Sequence, residues 1–134
     1  MANYTESTMT VILPINKVKD FEKLFIKQSN DDETSTFYRT YLKDFSIEDV
    51  TEEEALLKVE FECAWSVYAC MIEDNEDYPK LEEVIKEFNV RELIIYSRET
   101  GVGFEESVFY ESKGQEMVYD SRELFYDPLS LYLG

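Results

Sequence analysis

Apolar and polar side chains alternate from Ser7 to Leu13, where Met9, Val11 and Leu13 are interleaved with Thr8, Thr10 and Ile12. This two-residue period predicts a β-strand, and Pro14 ends it. Asn16 can cap a following helix, whose apolar stripe is Val18, Phe21, Leu24 and Phe25. A polar loop, Ser29-Asn30-Asp31-Asp32-Glu33, comes next. From Phe37 to Phe45 the pattern is again that of a strand, but both of its faces are mixed and its inward side stays open. The strand after it is clearer. Ala55, Leu57, Val59, Phe61 and Cys63 face one way, while Lys58, Glu60 and Glu62 face the other. One side of the sheet is therefore expected under helices and the other in water.

Trp65 to Ile72 is apolar without a regular period and reads as a short helical turn capped by Ser66. After the charged break Glu73-Asp74-Asn75-Glu76-Asp77, a second helix is expected to start at Asp77 or Tyr78, with Pro79 in its first turn where a missing N–H is tolerated. Leu81, Val84, Ile85 and Phe88 supply its stripe, and Asn89 can close it. Strands follow over Val90 to Ser97 and Phe104 to Tyr110, separated by the turn Gly101-Val102-Gly103. Lys113-Gly114 reverses the chain into Glu116 to Tyr119. The tail, Leu124-Phe125-Tyr126 and Leu129 to Leu133, is apolar enough to dock on the body or on a partner. This order predicts a single α+β domain over residues 1–134. Its class is a ferredoxin-like βαββαβ sandwich with an extra C-terminal β-hairpin extending the antiparallel sheet.

Charge changes the picture of partners rather than of fold. Thirty Asp and Glu stand against 13 Lys and Arg, a net charge of −17. Ten Tyr, nine Phe and one Trp supply the apolar surface that a disordered acidic chain lacks. Residues 1–30 hold four lysines and three acids, so the excess belongs to residues 31–134, with 27 acids and nine bases. Such a field repels nucleic-acid phosphates and anionic lipid within about 8–10 Å at physiological salt. Direct nucleic-acid binding is not expected, and the apolar runs are too short to span a membrane. Met1-Ala2-Asn3-Tyr4 has no signal-peptide form, so Cys63 and Cys70 are expected as reduced thiols in a cytosol.

Candidate chemistry is sparse. The chain has no histidine, which removes Ser-His-Asp and Cys-His catalysis and every His-containing metal site. Cys63 and Cys70 lack a second pair for structural zinc, and Cys63 sits on the inward row of its strand as a small core residue. Glu73 to Asp77 lacks the glycine and ligand spacing of a calcium loop. Gly101-Val102-Gly103 leads into a strand rather than a helix and is a turn, not a phosphate cradle. No catalytic residue, metal or cofactor is assigned. A small pocket formed by Trp65, Glu99 and Phe104 is a candidate if the strands bring them together; a satisfied Trp is the plainer alternative. The acids Asp31, Asp32, Glu33, Glu52, Glu53, Glu54, Glu73, Asp74, Glu76, Asp77, Glu105 and Glu106 fall mostly in loops or at element ends. They are candidates for a partner-binding surface, against the plain reading of a solvated coat.

Three stretches together resemble the YubB/Api92-like ferredoxin-like domain family of phage and plasmid proteins. They are Asn3-Tyr4-Thr5-Glu6-Ser7-Thr8-Met9-Thr10-Val11, Phe61-Glu62-Cys63-Ala64-Trp65-Ser66, and Tyr96-Ser97-Arg98-Glu99-Thr100-Gly101-Val102-Gly103-Phe104. The chain departs from that family at Tyr4-Thr5, where the family has a Trp-Cys pair, and after Trp65, where its prolines are absent. The resemblance implies a ferredoxin-like fold and a mobile-element origin, and no established activity. With the acidity and the missing catalytic groups, it leads to the expectation of a non-enzymatic inhibitor in the host cytoplasm. Its partner would be a basic nucleic-acid-binding host protein, for example a defence nuclease, met by a surface resembling duplex phosphate. The alternatives are an interaction module using the aromatic C-terminal segment or a sheet edge, with acidity serving solubility, and a metal-assisted hydrolase using carboxylates alone.

Overall fold

The structure is a computed structural model that describes residues 4–29, 37–99, 103–114 and 116–123. Its elements are β1 (Tyr4–Pro14), α1 (Val18–Ser29), β2 (Thr40–Val50), β3 (Glu54–Ala64), α2 (Leu81–Glu87), β4 (Glu92–Glu99), β5 (Phe104–Glu111) and β6 (Glu116–Glu123). A 3₁₀ turn, Ile15–Lys17, precedes α1, and a π-helical turn, Tyr68–Ile72, precedes α2. The strands form one six-stranded antiparallel sheet in the order β2-β3-β1-β4-β5-β6. This is the α+β architecture expected from the pattern. Among the described residues no helix is long and apolar enough to cross a membrane.

β1 lies inside the sheet between β3 and β4. Its inward row continues across both neighbours: Met9 faces Val59 and Ile95, and Val11 faces Leu57 and Leu93. All six are fully buried. Each such side chain stabilises the fold by about 1.5–3 kcal/mol relative to exposure. The helices cover this face. Phe21 of α1 meets Phe25 at 5.3 Å and Phe88, just past α2, at 5.4 Å, while Phe25 reaches Phe61 of β3 at 6.2 Å. Rings therefore tie both helices to the sheet.

Several boundaries differ from the sequence reading, each for a local reason. β1 starts at Tyr4 rather than Ser7, because Thr5 and Ser7 continue the inward row as buried hydroxyls. Thr5 donates to the Cys63 carbonyl at 3.3 Å, and Ser7 donates to Ser97 Oγ at 2.9 Å. Asn16 lies within the 3₁₀ turn instead of capping α1. β2 begins at Thr40, and Phe37, Tyr38 and Arg39 form a turn in which Arg39 adopts φ 45°. Register shifts between Leu42 and Asp44 and between Ile47 and Asp49 mark bulges in this edge strand. A bulge reverses the in–out parity, so Leu42 and Phe45 both lean on the core and no single alternation describes β2.

α2 begins at Leu81, after Pro79, because residues 75–78 are held in a turn of their own. There Asn75 Oδ1 accepts the Asp77 N–H at 3.1 Å, and the Asn75 carbonyl accepts the Tyr78 N–H at 3.3 Å. The end of α2 is as expected. Asn89 takes φ 51°, its N–H bonds to the Lys86 carbonyl at 3.3 Å, and the Val90 N–H bonds to the Ile85 carbonyl at 3.1 Å. That pair closes the helix as a Schellman motif. Asn89 and Val90 are used in this exit, and β4 starts at Glu92 rather than Val90.

Candidate functional site

The sheet face turned away from the helices carries residues 92, 94, 96 and 98 of β4, 105, 107, 109 and 111 of β5, and 116, 118, 120 and 122 of β6. Alternation sets which side chains lie there, and hairpin register sets their neighbours. Glu92 stands opposite Glu111, and Glu111 opposite Glu116. Three carboxylates thus cross three strands in line, with about 4.8 Å between strands. Among the described residues none of the three enters a salt bridge. Arg91, the cation next to Glu92 in sequence, is engaged with Glu54 at 2.7 Å.

The next row is apolar. Ile94 faces Phe109 and Phe109 faces Val118, and they are 42, 42 and 53 % exposed. Beyond it lies Tyr96-Ser107-Asp120, and then Arg98-Glu105-Arg122. At that far end charges are matched. Glu105 accepts the Tyr96 hydroxyl at 2.7 Å and two Arg122 N–H groups at 3.1 Å. The Tyr96 hydroxyl, then Arg122, hold the Glu105 carboxyl below its ordinary value. Further along the same face Glu62 pairs with Lys43 at 2.9 Å. The open face is therefore balanced at one end, and at the other it is anionic across β4, β5 and β6, where the row passes on to Ile12 and Leu56.

Among the described residues the candidate acids do not converge. Glu52 and Glu53 sit at the tip of the β2–β3 turn, which Thr51 organises by accepting the Glu53 and Glu54 N–H groups at 3.3 and 3.0 Å. Glu54 is held by Arg91, and Asp74 by Lys80 at 2.8 Å. Glu73, Glu76 and Asp77 remain exposed in the loop before α2. Glu105 faces the open side. Glu106 does not belong to any acidic surface: it points inward and is buried, because alternation along β5 puts it on the helix-covered face. There it accepts the Val67 N–H at 2.7 Å, the Tyr68 N–H at 3.0 Å and the Tyr119 hydroxyl at 2.7 Å. Burial, then the bond to Glu106, pushes the Tyr119 phenol well up. Asp31, Asp32, Glu33 and the apolar C-terminal segment lie outside the described residues.

Of the pocket candidates, Glu99 and Phe104 face each other across β4 and β5, and Thr5 flanks Glu99 on β1. Glu99 is buried, and its Oε1 has no hydrogen-bond partner among the described residues. Trp65 stands beyond the end of β3 with φ 66°, half exposed, and the Arg39 guanidinium lies 4.9 Å from its ring centre. Cys63 and Cys70 are free and buried. Burial pushes the Cys63 thiol up, which keeps it protonated and a poor nucleophile.

Sequence reasoning missed the row Glu92, Glu111 and Glu116. The reversal at Lys113-Gly114 was the available clue, since it sets Glu111 opposite Glu116. The chain matches no protein-family model, no curated protein and no solved structure.

Proposed function

We propose that this chain is a non-enzymatic binding protein that inhibits a basic nucleic-acid-binding protein, using the anionic end of its open sheet face. The observation that carries the reading is the line Glu92-Glu111-Glu116. Like charges directly opposite each other destabilise a sheet. A partner's cationic surface removes that repulsion on binding and gains the attraction that a nucleic-acid groove normally reserves for phosphate. The net charge of −17 adds a long-range field that speeds encounter with such a partner and weakens with salt.

Two further readings belong to the same proposal. The order β2-β3-β1-β4, with two helices on one face, supports a ferredoxin-like core that β5 and β6 extend. The resemblance to phage and plasmid proteins supports a mobile-element origin and a host protein as target.

A tagged pull-down from nuclease-treated host lysate tests the proposal. The expected catch is a nucleic-acid-binding protein that high salt and added duplex DNA both release. Retention through both washes would contradict a phosphate-like contact.

A further inference from the structure

The apolar row Ile94-Phe109-Val118 is absorbed neither by the fold nor by the charge of the face. It lies on adjacent strands, in register, and immediately beside the glutamate row. On an exposed sheet face such positions are ordinarily polar. Tyr96, the next residue of this face along β4, enlarges the apolar area, and Glu105 fixes its hydroxyl at 2.7 Å. The result is an apolar strip with a carboxylate line along one side.

We infer that this strip is the seat for an amphipathic helix of the partner, with its apolar stripe on Ile94, Phe109 and Val118 and its flanking lysines or arginines on Glu92, Glu111 and Glu116. The inference rests on the proposed reading of the open face and adds the chemistry of what that face recognises. Dimensions and charge select this occupant. One helical turn rises about 5.4 Å, close to the roughly 4.8 Å between strands, so side chains at i, i+4 and i+7 fall on successive strands when a helix lies across them. Neighbouring rows on one face are about 6.8 Å apart along a strand, within reach of a lysine or arginine flanking the stripe. A neutral or acidic helix would bury the three carboxylates against apolar or like-charged groups, which is costly. A helix basic on one flank satisfies both rows at once. The opposite flank would meet Ser107 and Asp120, so it tolerates polar or basic residues.

The test uses the full chain and two synthetic peptides of about 18 residues, long enough to hold helix when docked. Both contain the same leucines and lysines. One places the leucines at i, i+4 and i+7 spacing, and the other scrambles them. Binding is measured by calorimetry at low and high salt. The wild type is expected to prefer the striped peptide by about tenfold or more, a difference of about 1.4 kcal/mol. Ile94→Thr, Phe109→Thr and Val118→Thr together keep strand propensity and should abolish that preference while leaving a salt-sensitive interaction with both peptides. Circular dichroism confirms that the triple variant folds. If it does not, Val118→Thr alone, at the most exposed of the three positions, is expected to reduce the preference. Equal affinity of the wild type for both peptides overturns the helix seat and leaves the acidic-face reading standing. Failure to bind either peptide sinks both. A concentration-dependent dimer that the triple variant loses would make the strip a self-interface and also overturn the inference.

Discussion

Glu105 and Glu106 are adjacent in the chain and occupy opposite faces of β5, one solvent-side in an ion pair with Arg122, the other buried beneath the π-helical turn. The same side chain thus serves two physical roles one residue apart. The bonds from Val67, Tyr68 and Tyr119 to Glu106 pin the turn to β5 and its neighbour β6. Removing Glu106 leaves those donors buried or half-buried without their acceptor. Glu106→Ala is expected to lower unfolding stability by about 2–4 kcal/mol, the scale of lost hydrogen bonds to a charged group. Glu105→Ala should leave the urea midpoint close to that of the wild type. Equal midpoints for the two variants would contradict the assignment of faces.

Tyr119 gives a pH signature. Its phenol is raised above the ordinary value of 10.0 in the folded chain, so the folded state holds this proton more tightly than the unfolded state. The stabilisation is complete below the unfolded value of about 10 and is lost as pH rises toward the folded value. Stability should therefore fall through alkaline pH, and Tyr119→Phe should flatten that fall. Absorbance of tyrosinate at alkaline pH, compared between wild type and variant, should show one phenol that ionises only with unfolding.

The glutamate row should cost stability in the free protein. Glu111 is opposed by a glutamate on each side, so Glu111→Gln removes both repulsions. It should stabilise the chain by roughly 0.2–1 kcal/mol at low salt and by less as salt rises. Thermal melts at two salt concentrations measure this. A destabilised variant would mean that Glu111 has an attractive partner instead.

Asn89 tests the close of α2. A side chain with a β-carbon is strained at φ 51°, and Asn tolerates that region better than most. Asn89→Ala is expected to lose about 1 kcal/mol, whereas Asn89→Gly should be close to neutral.

Much of the framework was legible in the chain. Leu57, Val59 and Phe61 alternate with charged residues because one face of β3 is buried and the other wet, and Leu81, Val84 and Ile85 mark a helix for the same reason. β2 was illegible because two bulges break its period. Thr5, Ser7, Ser97 and Glu106 are buried polar residues satisfied by partners distant in sequence, so no local pattern reports them. The candidate face was hidden for a different reason. Glu92, Glu111 and Glu116 are inconspicuous alone, and only strand register puts them in line, whereas the runs Glu52-Glu53-Glu54 and Glu73 to Asp77 stand out in sequence but lie at or beyond opposite ends of β3.

The proposed contact between the anionic end of the open face and a basic partner is open to measurement. Its most direct test is a binding titration of the recovered partner against wild type and the triple variant Glu92→Lys, Glu111→Lys, Glu116→Lys at low and high salt, with folding checked by circular dichroism. The variant is expected to lose at least about tenfold in affinity at low salt and to show a flatter salt dependence. Unchanged affinity and an unchanged salt dependence would contradict it.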